Sequence, residues 1–382
     1  VLPREANDLA VENPATEQSI AVISEGTTTD VDDAVTAARH AFMEYSQTTR
    51  ETRLALLENL LTIYMNRYEE IVQAIHLEMG APIDFSRNEQ ADCGRGHLQS
   101  TIDALKHYAF EQTIENSTII KEPIGVCGLI TPWNWPINQV ACKVVPALAT
   151  GCTMVLKPSE IAPLSAHLFA EMIDEADFPS GVFNLVNGSG TVVGKALAEH
   201  PGIDMISFTG STQAGIAVAK AAADSVKRVT QELGGKSPNI LLEDADFDRS
   251  IKKGIFMCME NTGQSCNAPT RMLIPHSRYQ EAQALAQEYV EIVTVDNPEK
   301  SGRHLGPLAS HAQYQKVQQL IQGAINEGAT LIAGGLGKPE GFEIGHYAKP
   351  TIFANVDNNM AIAQEEVFGP VLVLIPYNSE EE

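Results

Sequence analysis

No apolar run in this chain approaches the roughly 20 residues that a membrane-spanning helix requires. The N-terminal VLPREANDLAVENP also lacks the charged-then-apolar pattern of a secretory signal. Positive charge is scarce: 26 Lys and Arg stand against 49 Asp and Glu, a formal net charge of −23. That balance argues against a nucleic-acid backbone or an anionic membrane surface as partner. Cysteine is sparse too. The six, at 93, 127, 142, 152, 258 and 266, form no CxxC pair and no regular framework, so a disulfide-stapled secreted scaffold does not fit. A soluble protein of a reducing, cytoplasmic compartment is the expectation. The ten histidines show no HExxH spacing and no Cys/His cluster, and no acidic metal loop is present, so no catalytic metal is expected. Internal repeats and low-complexity linkers are missing as well.

What is present is an ordinary globular composition, 44% hydrophobic and 20% charged, over 382 residues, enough for two or three packed units. From Asp30 to about Gln112 apolar residues recur at three- and four-residue steps. VDDAVTAARHAFMEY reads as one helix, and RETRLALLENLLTIYMNRYEEIVQAIHLEMG as a second that ends at Gly80 before Pro82. Residues 108–122 change to a polar alternation with an Asn-Ser turn signal, which predicts a two-stranded hairpin.

After Pro123 the rhythm becomes strand, helix, strand, helix. VCGLITP, TMVLKP, VFNLVNG and MISFTG are the strands, and the alternation predicts a parallel sheet covered on both faces, with ligand at the carboxyl ends of its strands. A second series starts after the Gly234-Gly235 pair with PNILLE, a helix around Asp248 to Asn261, the strand TRMLIP, and helices near Arg278 to Val290 and Ala312 to Glu327. The fold class is therefore α/β, with two doubly wound three-layer units and a hairpin arm. The expected boundaries are 1–107 with 123–233, then 108–122, then 234–382.

Chemistry points first to Cys266, in MENTGQSCNAPTR. Its neighbours Gly263, Gln264, Ser265, Asn267 and Ala268 are small or polar, which suits a nucleophile better than a core plug. The other five cysteines read as inert core. A carboxylate that could serve as base is Glu232 in VTQELGGKSP, well upstream. Two stretches could hold a dinucleotide. NGSGTVVG brings Gly190 directly after a strand, but its GxGxxxG spacing departs from the GxGxxG fingerprint, which leaves an ordinary turn open. In FTGSTQAG, Gly210 and Ser211 follow a strand and open a helix whose free N–H groups could face a pyrophosphate; the alternative is a plain serine cap. LKPSE ends a strand with Lys157 and Glu160, either donors and acceptors for ribose hydroxyls or a surface ion pair. Lys143 reads as a snorkelling surface lysine in preference to a proton relay.

ELGGKSP followed by NTGQSCNAPTR resembles the paired active-site signatures of the NAD(P)-dependent aldehyde dehydrogenase superfamily. ITPWNWP, LKPSE, SFTGS and EEVFGPV are similar to further blocks of that family, in the family's order, and the resemblance runs from Glu12 to the C-terminus. It implies an aldehyde dehydrogenase-like fold, with a coenzyme-binding domain, a catalytic domain, and a hairpin through which subunits assemble as a homodimer or homotetramer. It also implies Cys266 as nucleophile, Asn134 as oxyanion donor beside the Cys266 N–H, and Glu232 as general base, meeting in one pocket beside a nicotinamide. Trp133, Lys157, Glu160, Gly190, Gly210 and Ser211 are placed with the cofactor, Glu366 on the nicotinamide ribose and Phe368 against the nicotinamide ring. Glu160 would repel a 2′-phosphate, so NAD is expected over NADP.

The expected reaction is oxidation of a small-molecule aldehyde through a cysteine thiohemiacetal and thioester, released by glutamate-activated water. A carboxylate is a poor base at neutral pH, so the role leads one to expect a buried Glu232 with a raised pKa. Trp135, Gln139 and Cys142 are implied as walls of the substrate tunnel. Two rivals stay open: acyl transfer to coenzyme A, which relatives lacking the glutamate perform, and a non-catalytic structural member of the fold. The chain is expected to be trimmed at its front and to stop before a C-terminal segment that relatives carry.

Overall fold

The computed structural model describes residues 7–382. A two-stranded ribbon, β1 (Asp8–Asn13) with β2 (Gln18–Ser24), opens the described chain. Two compact units follow from the packing: the first holds Ser19–Glu78, Ser86–Leu233 and the chain up to Val11, and the second holds Glu12–Gln18, Met79–Phe85 and Gly234–Glu382.

The first unit begins with helices. Thr27 caps Thr28–Tyr45 in a capping box with Asp30, and Thr49 caps Arg50–Asn66 by accepting from the Thr52 N–H. The long helix expected from Arg50 to Gly80 is two, broken at Arg67 and resumed over Tyr68–Met79. At the break the Arg67 guanidinium gathers Glu70 at 2.8 Å, Glu171 at 2.7 Å and Glu175 at 2.5 Å. Apolar periodicity does not register such a cluster, because its members come from two separate helices. The polar stretch after Tyr108 forms an antiparallel hairpin, β3 (Glu111–Ile114) and β4 (Ser117–Ile120), exposed along both strands and turned at Glu115 with φ 52°.

Five parallel strands make the sheet of this unit: β5 (Val126–Ile130), β6 (Thr153–Lys157), β7 (Phe183–Leu185), β8 (Met205–Gly210) and β9 (Arg228–Leu233). Their order in space is β7-β6-β5-β8-β9. The chain thus builds outward from β5 in one direction, then returns to build from β8 in the other. That reversal opens a crevice at the carboxyl ends of β5 and β8. Every residue of β5 and β6 is buried, as expected of parallel strands covered on both faces.

In the second unit the order is β10-β11-β14-β13-β12, with β10 (Pro238–Ile240), β11 (Arg271–Pro275), β12 (Thr330–Ala333), β13 (Thr351–Ala354) and β14 (Val371–Tyr377). All pairs are parallel except β12 with β13. Period-two alternation gives each central strand two apolar faces. Val371, Val373 and Ile375 of β14 pack with Val317 and Ile321 on one side, while Leu372 and Leu374 pack with Ile251 and Ile255 on the other. Helices His311–Asn326 and Phe247–Met259 therefore cover opposite faces, completing three layers.

A buried carboxylate in the first unit carries a stability signature. Glu78 is fully buried and accepts from the backbone N–H groups of Leu164, at 2.5 Å, and Ser165, at 3.2 Å, at the start of helix Leu164–Glu175. Burial outweighs these donors and pushes its carboxyl up to about 7. A raised acid pKa stabilises the fold most below the unfolded pKa, and this contribution is lost as pH rises through the folded value. Glu78→Gln, neutral at every pH, should flatten the fall in stability between about pH 4.5 and 7, a difference on the order of 3 kcal/mol. Denaturant titrations of both proteins across that range read the difference directly, and parallel stability curves would contradict it.

Candidate active site

In the second unit, adjacent parallel strands bring their entry loops to one edge, so the turns before β10, β11 and β14 lie side by side. These turns are GGKS, the Cys266 loop and EEVFGP. A Cβ on Gly234 would collide with the Glu366 carboxylate, and the Gly235 N–H donates to Glu366 Oε1 at 3.3 Å. A Cβ on Gly235 would lie 3.6 Å from the Cys266 carbonyl oxygen. The glycine pair is thus a side-chain-free seat shared by Glu366 and the backbone of Cys266. Burial raises the pKa of Glu366, opposed by the Gly235 N–H, Lys316 and Lys236. Lys236, itself pushed down to about 8 by burial, brings one of these charges into the same turn.

The loop that carries Cys266 is wound tightly. Asn261, Thr262 and Gly263 follow one another at φ 53°, 57° and 72°, in the left-handed region. Gln264 is buried, and its amide donates to the Asn261 carbonyl at 3.1 Å while the Asn261 amide donates back to the Gln264 carbonyl at 3.2 Å. Gln264 Oε1 also accepts from the Ala309 N–H at 2.9 Å, and Thr262 Oγ1 donates to the Gly306 carbonyl at 3.2 Å. These bonds hold Asn261 and Thr262 in a region that non-glycine residues seldom adopt. The Cys266 residue beyond them is exposed, whereas Cys258 is buried and raised to about 12 by desolvation. Phe368 is also left-handed, at φ 58°, and its carbonyl and that of Val367 accept from Gln313 Nε2.

In the first unit a cavity of about 910 Å³ lies at the strand reversal, between Ile130 of β5 and Phe208 of β8. Glu160, Gly190 and Ser211 line it, together with Gln213 and Ala217 of helix Thr212–Ala223. Ser211 serves both readings: its Oγ accepts from the Ala214 N–H at 3.2 Å, so it is a cap on the wall of a cavity. Gly190 opens the short turn Gly190–Gly194, where a Cβ would meet nothing within 4 Å. Gly210 ends β8, and Lys157 ends β6. The pair Lys157 and Glu160 is not a surface pair, because Lys157 is only 3% exposed and donates to Glu160 Oε2 at 2.7 Å. A polar-lipped cleft of this size beside a helix N-terminus fits a dinucleotide.

Asn134 follows β5 and is buried, with its carbonyl accepting from Gln90 Nε2 at 3.1 Å; Trp133 beside it is half-buried. Glu232 sits near the end of edge strand β9, opposite Thr209. Contrary to the expectation of burial, it is exposed. Side chains along β9 alternate exposed and half-buried, and Glu232 falls on the exposed face with Arg228 and Thr230. Lys143 also departs from its reading as a surface lysine. It is part-buried, donates to Ser207 Oγ at 3.2 Å, and burial lowers its pKa, opposed by Cys142 and Glu232. Cys142 and Cys93 are half-buried, while Cys127, Cys152 and Cys258 are core. Sequence reasoning missed Gln213 and Ala217, which read only as a helix face, and Gln264, whose hydrogen bonds no local pattern announces. Among the described residues no group of three or more His, Cys, Asp or Glu is placed to hold a metal, and no helix is long and apolar enough to cross a membrane.

Comparison with known proteins agrees with this architecture. The family model described as the aldehyde dehydrogenase family matches residues 2–382. A 3-succinoylsemialdehyde-pyridine dehydrogenase of Pseudomonas sp is 52% identical over 383 residues, covering 100% of this chain and 80% of the relative. A putative aldehyde dehydrogenase of Staphylococcus aureus is 46% identical over 374 residues, covering 98% and 79%. Among solved structures, an aldehyde dehydrogenase from Pseudomonas syringae, a cysteine-to-alanine mutant in complex with NAD+ and octanal, superposes with TM-score 0.99 at 50% identity, covering 100% of this chain and 79% of that one. One from Bartonella henselae gives 0.97 at 50% identity, covering 100% and 80%. The chain belongs to the aldehyde dehydrogenase family.

The tight loop makes a sharp demand at Gly263, where a Cβ would fall inside the backbone of Gly369 and Pro370. Gly263→Ala should destabilise the protein by about 2–4 kcal/mol, since φ 72° and a backbone collision act together. Gly323→Ala, in an open helical position, should cost nothing measurable or add stability. Equal unfolding midpoints for the two variants would contradict the reading.

Proposed function

We propose that this chain is an NAD-dependent aldehyde dehydrogenase that releases a carboxylic acid, with Cys266, Asn134 and Glu232 acting on one carbonyl. The observation that carries it is the seat at Gly234-Gly235, which holds the Glu366 carboxylate and the Cys266 backbone side by side. Glu232 stands two residues before that seat along the chain. Two residues of extended chain reach at most about 7 Å, so the assigned base is tied covalently to the turn that positions the nucleophile.

Cys266 Sγ attacks the aldehyde carbon, and the resulting oxyanion is met by the Asn134 amide and the Cys266 N–H. NAD, when bound, would supply the hydride acceptor; Glu160 and Lys157 would hold a ribose, Gly190, Gly210 and Ser211 the phosphates, Trp133 and Phe368 the nicotinamide end, and Glu366 the nicotinamide ribose. The thioester left on Cys266 is cleaved by water that gives its proton to Glu232. Its exposure keeps the Glu232 carboxylate in reach of that water. Trp135, Gln139 and Cys142 wall the route to the thiol. The exposed hairpin is assigned to contact with a second copy, giving a dimer or tetramer, and the protein to the cytoplasm.

Incubation of the protein with NAD or NADP and a panel of aldehydes tests the reading. NADH should form with NAD, and Cys266→Ala should yield none. Glu160→Gln should narrow the NAD over NADP preference in kcat/KM by roughly tenfold, because the carboxylate that repels a 2′-phosphate is gone. NADH formation by Cys266→Ala, or an unchanged preference in Glu160→Gln, would overturn the corresponding assignment.

A further inference from the structure

Helix Pro136–Thr150 carries a half-buried stripe along its first two turns, while the residues between its members are buried. At about 100° per residue, Asn138, Cys142, Trp135, Gln139 and Lys143 fall in that order across the stripe. One bank of it is the candidate base. Lys143 Nζ donates to Ser207 Oγ on β8 at 3.2 Å, and β8 pairs with β9 so that Ser207 lies level with Thr230 and Thr209 with Glu232. Glu232 thus stands two residues farther along the face of the sheet that Lys143 covers.

The other bank is helix Ala91–His107. His97 Nε2 lies 2.6 Å from Asn138 Oδ1. An amide oxygen carries no hydrogen, so His97 holds its proton on Nε2 and donates it. A Cβ on Gly96 would meet nothing within 4 Å, so space is open one residue from His97. A helix with its side chains is about 10 Å across, which sets the two banks roughly that far apart.

Two amides lie between the banks, and both are held the same way round. Asn138 Oδ1 accepts from His97, and Gln139 Oε1 accepts from Cys142 Sγ at 4.0 Å. With each oxygen engaged, Asn138 Nδ2 and Gln139 Nε2 have no hydrogen-bond partner among the described residues. Donors so placed are left unpaired by an alkyl chain and satisfied by an oxygen.

We propose that Asn138 selects the aldehyde, and that the protein takes substrates carrying a second oxygen, keto or carboxylate, at the end away from the reacting carbonyl. The inference rests on the proposed reading of Trp135, Gln139 and Cys142 as walls of the route to the thiol. The aldehyde group lies toward Glu232, and the second oxygen accepts from Asn138 Nδ2 and Gln139 Nε2. His97 is a positioning residue: it turns the Asn138 amide nitrogen into the route and itself touches no substrate. An alkyl tail in the same place strands both donors, and that loss sets the preference.

Steady-state kcat/KM with NAD for three aldehydes of equal chain length tests this: hexanal, adipate semialdehyde, and a keto-aldehyde with a methyl ketone at its far end. Each result is read as the ratio of an oxygen-ended aldehyde to hexanal, which does not change with the folded fraction of a variant. Both ratios should be at least about tenfold in the native protein and fall by about that factor in Asn138→Leu. Asn138→Asp keeps the acceptor for His97 and loses the donors, so it should depress adipate semialdehyde further than the uncharged keto-aldehyde. His97→Phe should lower both ratios, and His97→Gln, which keeps an N–H donor, should restore them. A native preference for hexanal, or ratios unmoved by Asn138→Leu, would overturn this inference and leave the proposed oxidation standing. No NADH from any of the three would overturn the proposed activity itself, and the inference with it.

Discussion

Backbone must touch backbone at the second unit's entry edge, and the rest of the site depends on that contact. Gly263 lies against Gly369 and Pro370, while Gly234 and Gly235 lie under Glu366 and beside the Cys266 carbonyl. A side chain at Gly263 would separate the loops, and one at Gly234 would displace the Glu366 carboxylate. Because β10, β11 and β14 are neighbours in one parallel ladder, their entry turns are brought together by the sheet itself. The strain stored at Asn261, Thr262 and Phe368 is then held by buried amide bonds through Gln264 and Gln313. The Cys266 backbone on that loop is held by rigid scaffold, although the residue itself is exposed.

Most of the architecture was legible because it rests on local signals. Val371 to Ile375 reads as an unbroken apolar run, and both of its faces are in fact buried, in two different cores. The β/α alternation after Pro123 is likewise visible in the residues, and the strand reversal that opens the first unit's cavity follows from it only once pairing is known. The break at Arg67 was hidden for the opposite reason. Its cause is a meeting with Glu171 and Glu175, more than a hundred positions on, and periodicity is blind to partners at that separation.

At the site, Cys266 stands out by its neighbours and Glu366 only through the family resemblance, and their common seat on Gly234-Gly235 is not visible in the residues, since that pair reads equally as the boundary between two units. LKPSE alone leaves a ribose contact and a surface pair open, and the burial of Lys157 removes the surface pair. Glu232 is expected to be buried and is exposed, on the open face of β9. In both cases burial is decided by residues distant in the chain, which a local stretch does not state.

The account holds that the acyl group passes through the sulfur at 266 and leaves with water activated by the carboxylate at 232. Acid-quenching the Glu232→Gln variant during turnover with aldehyde and NAD, followed by mass mapping, isolates that claim. The account predicts an acyl adduct on the peptide containing Cys266, accumulating to near one per chain. An absence of adduct while acid is still released, or an adduct on another cysteine, would contradict it.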